Sequence, residues 1–206
     1  MLARQQQGAP TAYWMAGNGM MTRDAQVDEE RARRFRDAAL PHLDDVFTLA
    51  RYLMRNAADA DDAVQECYLR ALRHFDTYRG PAMKPWLLTI LRNVCMAEFA
   101  RRGKQEAPVD EPEDEAAPEL SPLWQEPHAS PETELLRQQA ANTIQRLIAA
   151  LPQPFREAIV LREINDLSYQ EIAEVAGVPV GTVMSRLARA RSMLRSSWNA
   201  AEGTTT

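Results

Sequence analysis

Residues 168–195 read SYQEIAEVAGVPVGTVMSRLARARSMLR, and this stretch decides the fold. Ser168 followed three residues later by Glu171 is a capping-box pattern, which starts a helix by satisfying two orphan backbone N–H groups. Ile172, Ala173 and Ala176 share one face of that helix, and Gly177 supplies a left-handed end. Val178 and Pro179 re-aim the chain, and a second helix is predicted from Val180 to Ser197. Two helices joined by a short glycine-containing turn form a helix-turn-helix, whose second member enters a DNA major groove.

In the second helix Val183, Leu187, Ala190 and Leu194 recur at helical spacing and pack inward. Thr182, Ser185, Arg186, Arg189 and Arg191 face outward or flank that side. From Val180 to Asn199 there are four arginines and no acid, so the outward face is cationic. Small hydroxyls approach base edges, and arginines contact phosphates or read guanine bidentately. A solvated basic face on a core helix would look the same by itself. The capping box, glycine turn and basic helix in succession favour DNA.

The wider stretch 151–191, LPQPFREAIVLREINDLSYQEIAEVAGVPVGTVMSRLARAR, resembles region 4 of the extracytoplasmic-function sigma factors of the sigma-70 family, the promoter-specificity subunits of bacterial RNA polymerase. The resemblance implies binding of the −35 promoter element by residues 179–195. Ser185 and Arg189 would then meet base edges, with Thr182, Arg186 and Arg191 nearer the backbone. Met184 stands where the family often has Lys or Arg, which removes one cation from that face.

Composition agrees with a soluble globular chain of 206 residues, 45% apolar and 26% charged. No run approaches the roughly 18 apolar residues of a membrane span, and no secretory signal pattern is visible, so a cytoplasmic protein with no membrane insertion is expected. Cys67 and Cys95 show neither metal-ligand spacing nor a disulfide framework and read as buried packing. The net charge of −5 is unevenly spread. Residues 105–134 hold ten acids and no Lys or Arg, so the remainder carries +5 and suits an anionic partner.

Upstream, residues 1–23 lack periodicity and read as a disordered extension, with Met20 and Met21 as possible later starts. Leu43, Val46, Phe47, Ala50, Leu53 and Met54 follow a period near 3.6. A loop over residues 56–58 and an N-cap at Asp59 are predicted before the next helix, whose apolar face holds Ala63, Val64, Cys67, Ala71 and Leu72. That helix, DADDAVQECYLRALRHF (59–75), is similar to family region 2.2, and the resemblance gives Asp62, Gln65 and Glu66 to the polymerase large-subunit clamp.

Residues 75–102, FDTYRGPAMKPWLLTILRNVCMAEFARR, combine aromatics with cations, which suits single-stranded DNA because bases stack on rings while arginines track phosphates. They resemble regions 2.3 and 2.4, which melt and read the −10 element. By that resemblance Tyr78, Lys84, Trp86, Arg92, Asn93, Arg101 and Arg102 contact −10 DNA, and a flipped base enters a pocket between Asp76 and Lys84. Trp86 as core packing is the plainer reading of that residue.

The Pro- and acid-rich residues 105–130 read as a connector without stable structure. About 26 residues reach roughly 85 Å when extended. Promoter elements about 17 base pairs apart lie roughly 58 Å apart along the duplex. Beyond it, Leu136, Ala140, Ile144, Leu147, Ile148 and Leu151 are expected to pack inward from one helix, and Phe155, Ala158, Ile159 and Ile164 from another.

The expected fold is therefore all-α: a disordered extension (1–23), a region 2 helical bundle (24–103), an acidic connector (104–131), a region 4 helix-turn-helix domain (132–198) and a disordered tail (199–206). No catalytic constellation and no metal or cofactor site is expected. Partners implied by the family are core RNA polymerase (large-subunit clamp and flap), promoter DNA and an anti-sigma factor. Two other readings compete: a helix-turn-helix regulator working without polymerase, and a metal-dependent nuclease built on Asp59, Asp61 and Asp62.

Overall fold

The structure, a computed structural model, describes residues 23–54, 56–80, 82–102 and 131–203. The expected N-terminal extension, apart from its last residue, and the expected acidic connector, apart from Pro131, lie outside the described residues. Among the described residues there are eight α-helices and no strand. They are α1 (Arg23–Ala39), α2 (Leu43–Leu53), α3 (Ala57–His74), α4 (Met83–Arg102), α5 (Pro131–Ala149), α6 (Gln153–Ile159), α7 (Tyr169–Ala176) and α8 (Val180–Gly203).

The first bundle forms because its apolar residues recur at i, i+3 and i+4. Val46, Leu49, Ala50 and Leu53 of α2 are buried, as are Ala63, Val64, Cys67 and Ala71 of α3 and Leu87, Leu88, Leu91, Val94 and Cys95 of α4. Full burial of each such leucine contributes about 1.5–3 kcal/mol. Cys67 and Cys95 are the packing residues the pattern implies, and burial pushes both thiols up to about 12.

Several expectations are corrected. α3 starts earlier than predicted, because Asn56, not Asp59, is the cap. The Asn56 carboxamide oxygen accepts from the Asp59 N–H at 2.8 Å, and its Nδ2 donates back to the Asp59 carboxylate at 2.8 Å. α8 runs on to Gly203, so the expected tail is helical over its first residues. Ile144 and Ile164, both expected inside, are 47% and 38% exposed. Ile144 faces an open groove between α5 and the end of α8. Ile164 ends a wide π turn (Val160–Ile164) that breaks the 3.6-residue period of α6. The chain leaves that turn through Asp166 at φ 55°, a left-handed conformation that Asp tolerates better than most residues.

The two halves do not merely share a connector. Buried residues form one continuous core from Phe35 and Leu49 through Leu88 to Val160, Ile172 and Leu187. α4 lies against α7, and α2 against α6. Polar bonds cross the seam. The Arg92 guanidinium on α4 donates to Glu157 on α6. Asn165, only 1% exposed, donates from Nδ2 to the Asp45 carbonyl at 3.1 Å and its carboxylate at 3.3 Å.

Candidate nucleic-acid interface

The helix-turn-helix is built as its sequence dictates. The Ser168 N–H donates to Glu171 Oε2 at 2.8 Å, and the Glu171 N–H donates to the Ser168 hydroxyl at 3.3 Å. The Ser168 hydroxyl also donates to Glu171 Oε2 at 2.7 Å, and that bond, with the one from the Ser168 N–H, holds the Glu171 carboxyl below its usual range. Gly177, at φ 65°, ends α7, and the Val178 N–H turns back to the Ala173 carbonyl at 3.1 Å. A side chain at φ 65° would strain the backbone by roughly 1 kcal/mol. α8 then starts on the Pro179 carbonyl, which accepts from Thr182 and Val183.

This geometry fixes which face of α8 is presented. Val183, Leu187 and Ala190 are buried, while Ser185, Arg189 and Arg191 are exposed and Thr182 and Arg186 are half-buried. Among the described residues Arg189 makes no hydrogen bond or ion pair, so its guanidinium is available. Arg191 is tied to Glu163 at 2.7 Å. Ser185 donates its hydroxyl proton to the Thr182 carbonyl at 2.9 Å, which leaves its lone pairs outward. Met184 is 54% exposed on the same surface, an apolar contact where a cation would otherwise stand.

On α3, Asp61, Asp62 and Gln65 are exposed along one side. Glu66 is half-buried and paired to Arg70 Nε at 2.6 Å. Leu69, one turn beyond Gln65, is 46% exposed on the same side, off the face that buries Ala63, Val64, Cys67 and Ala71.

The residues expected to meet the −10 strand are spread along α4 rather than gathered in one patch. At its start the Tyr78 ring lies on Trp86, with centroids 4.7 Å apart; Trp86 is half-buried, packing against the core on one side and meeting Tyr78 on the other. Gly80 sits so close beneath Tyr78 that an added methyl would come within 2.7 Å of the ring. Lys84 is paired with Asp45 at 2.8 Å. Midway, Asn93 is exposed, whereas Arg92 is turned toward the second half of the molecule and Glu157. At the far end Arg101 holds Glu98 at 2.6 Å, and Arg102 bridges Glu98 and Asp59 at 2.8 and 2.5 Å. Those two guanidiniums hold the Glu98 carboxyl down at about 2. Arg79, unremarked in the sequence, adds an exposed cation beside Tyr78.

Asp59, Asp61 and Asp62 do not converge; Asp59 serves Asn56 and Arg102. Among the described residues no three His, Cys, Asp or Glu side chains are placed to hold a metal, and no helix is long and apolar enough to cross a membrane.

An all-α chain with a helix-turn-helix in one half and an acidic helix followed by an aromatic and cationic one in the other has the layout of a polymerase specificity subunit. Comparison with known proteins agrees. The family description "Sigma-70 region 2" matches residues 39–105, and "Sigma-70, region 4" matches residues 141–194. The RNA polymerase sigma-H factor of Pseudomonas aeruginosa is 32% identical over 175 residues, spanning 82% of this chain and 88% of that protein. The ECF RNA polymerase sigma-E factor of Escherichia coli is 35% identical over 139 residues, spanning 67% and 73%. Among solved structures, the sigma factor RpoE of Bartonella quintana, in complex with the anti-sigma factor NepR, matches with a TM-score of 0.60 and 25% identity over 80% of this chain and 96% of that one. CnrH, in complex with the cytosolic domain of CnrY, shares the fold with a TM-score of 0.56 at 24% identity, covering 85% and 94%. The chain belongs to the extracytoplasmic-function branch of the sigma-70 family of RNA polymerase sigma factors. A free-standing helix-turn-helix regulator is not favoured, because region 2 is matched alongside region 4.

Proposed function

We propose that this chain directs core RNA polymerase to its own set of promoters. The region 2 domain (24–103) binds the large-subunit clamp through Asp62, Gln65 and Glu66. It captures the melted −10 strand with Tyr78, Lys84, Trp86, Arg92, Asn93, Arg101 and Arg102. The region 4 domain (132–198) reads the −35 element with Ser185 and Arg189, steadied by Thr182, Arg186 and Arg191, and rests on the flap. The acidic connector (104–131) lets the two sites be held at once, so two modest contacts multiply into a selective one. The protein works in the cytoplasm and makes or breaks no bond; chemistry belongs to the polymerase.

One observation carries this reading: a single chain presents an available Arg189 on a recognition helix and, on α3 far from it in sequence, an exposed Asp62 and Gln65. Arg92 is held by Glu157 of the other half in the packed arrangement, so the two halves must part before it reaches a phosphate, whereas Lys84 is held within region 2 by Asp45. An anti-sigma factor would act by holding them together; the likeness to RpoE, solved with the anti-sigma factor NepR, supports that partner.

The clamp assignment is testable in a pull-down with core polymerase. A Gln65→Ala, Glu66→Ala double variant should lose affinity by roughly tenfold or more, the scale of an interface anchor, while the thermal midpoint of the free chain stays within a few degrees. Unchanged core affinity rejects the assignment.

A further inference from the structure

Arg31 lies on α1, ahead of the residues 39–105 that match region 2. Its guanidinium reaches the far end of α3. Nη2 donates to the Leu72 carbonyl at 2.8 Å and more weakly to that of Arg73 at 3.4 Å, and Nε lies 2.7 Å from the Asp76 carboxylate. The last carbonyls of a helix have no partner within it, and a cation there also meets the negative end of the helix dipole. One turn further along α1, Phe35 is buried with its ring edge-on to Phe75 at 5.3 Å and to Tyr68 at 6.2 Å. Phe75 and Asp76 are consecutive residues of the 3-10 turn Phe75–Thr77, so α1 holds that turn by an apolar contact and an ionic one together.

The restraint continues into the loop. The Tyr78 N–H donates to the Phe75 carbonyl at 3.1 Å. Arg79 Nη1 donates to the carbonyls of Asp76 and Tyr78 at 2.6 and 2.8 Å. Tyr78 is then pinned between Trp86 and Gly80. Every contact from α1 to the Tyr78–Trp86 platform is direct.

We infer that Arg31 is a positioning residue for −10 recognition: through Asp76 it sets the orientation in which Tyr78 and Arg79 meet the unpaired strand. The inference rests on the proposal that the 76–84 loop receives that strand. The Asp76 side chain is 56% exposed, and an ion pair so open to water contributes little to stability. Its loss should therefore be read in DNA binding rather than in folding.

The experiment measures binding of reconstituted holoenzyme to fork-junction DNA whose non-template −10 strand is single-stranded, alongside core affinity and the thermal midpoint of the free chain. Arg31→Ala and Asp76→Ala should each weaken fork binding roughly fivefold, and the double variant should be no worse than either, as for two residues acting as one unit. Core affinity should hold, and Arg31→Lys should recover part of the loss. Unchanged fork binding in Asp76→Ala, effects that multiply in the double variant, or an equal fall in core affinity would each overturn the assignment. Tyr78→Ala separates the two layers. If it loses fork binding while Arg31→Ala does not, only the positioning role falls. If Tyr78→Ala itself binds normally, the loop reading falls and the positioning role with it.

Discussion

Arg189→Ala is expected to cut transcription from −35-dependent promoters by roughly ten- to a hundredfold, the range of one lost bidentate base contact. Arg189 is exposed on α8, one helical turn from the exposed Ser185, and its guanidinium has no partner among the described residues. Removing it therefore leaves nothing buried and unpaired, and folding should change by no more than about 0.5 kcal/mol. Core affinity should be preserved, because the clamp face lies on α3. The defect should vanish on templates whose −35 element has been replaced by random sequence, since nothing specific is left to lose. Arg191→Ala provides the contrast. Its side chain is shared with Glu163, so the variant should weaken binding modestly and alike on all sequences, as loss of a phosphate contact does.

Arg92→Ala should instead be a stability variant, costing about 3 kcal/mol in urea unfolding, at the low end of the range for breaking a buried pair. Glu157 is 2% exposed, while the Arg92 side chain keeps 21% of its surface in water, which places the cost at that end. Burial raises the Glu157 carboxyl above its usual value, with Arg92 opposing the rise. The sign follows: a carboxyl raised in the folded state stabilises when protonated, below the ordinary 4.5, and loses that contribution as pH climbs through its folded value. Without Arg92 the rise is larger, so the variant should regain stability on acidification from neutral pH. Adding Glu157→Gln should restore most of the lost stability at pH 7, because a neutral amide costs less to bury alone. The double variant also separates two roles for Arg92. It should fold well and still bind the −10 strand poorly if Arg92 contacts that strand once the halves part.

The helix-turn-helix was legible because its signals are local. Ser168 and Glu171 meet within one turn, Gly177 is left-handed, and Val183, Leu187 and Ala190 are buried as their spacing requires. The α3 boundary was misplaced for an equally local reason: Asn56 and Asp59 are both good caps, and only geometry shows that Asn56 caps while Asp59 answers it. The seam between the halves was not legible. Glu157 and Asn165 look like surface residues in sequence, and their partners Arg92 and Asp45 lie 65 and 120 residues away. Ile164 was misassigned because the π turn adds a residue that a 3.6-residue period does not anticipate. Arg31 could not be singled out among the arginines of α1, since only the packed position of α1 brings it to the end of α3.

The central claim is that two cationic helical surfaces read a promoter at separated points, and only as part of a polymerase. DNase and permanganate footprinting of one cognate promoter, with the chain alone and with core enzyme added, tests it most directly. The account predicts no sequence-specific protection by the chain alone. With core enzyme it predicts joint protection of the −35 element and permanganate-reactive thymines at −10. Specific protection of the −35 duplex by the chain alone, unchanged when core polymerase is added and with no reactive thymines, would contradict it.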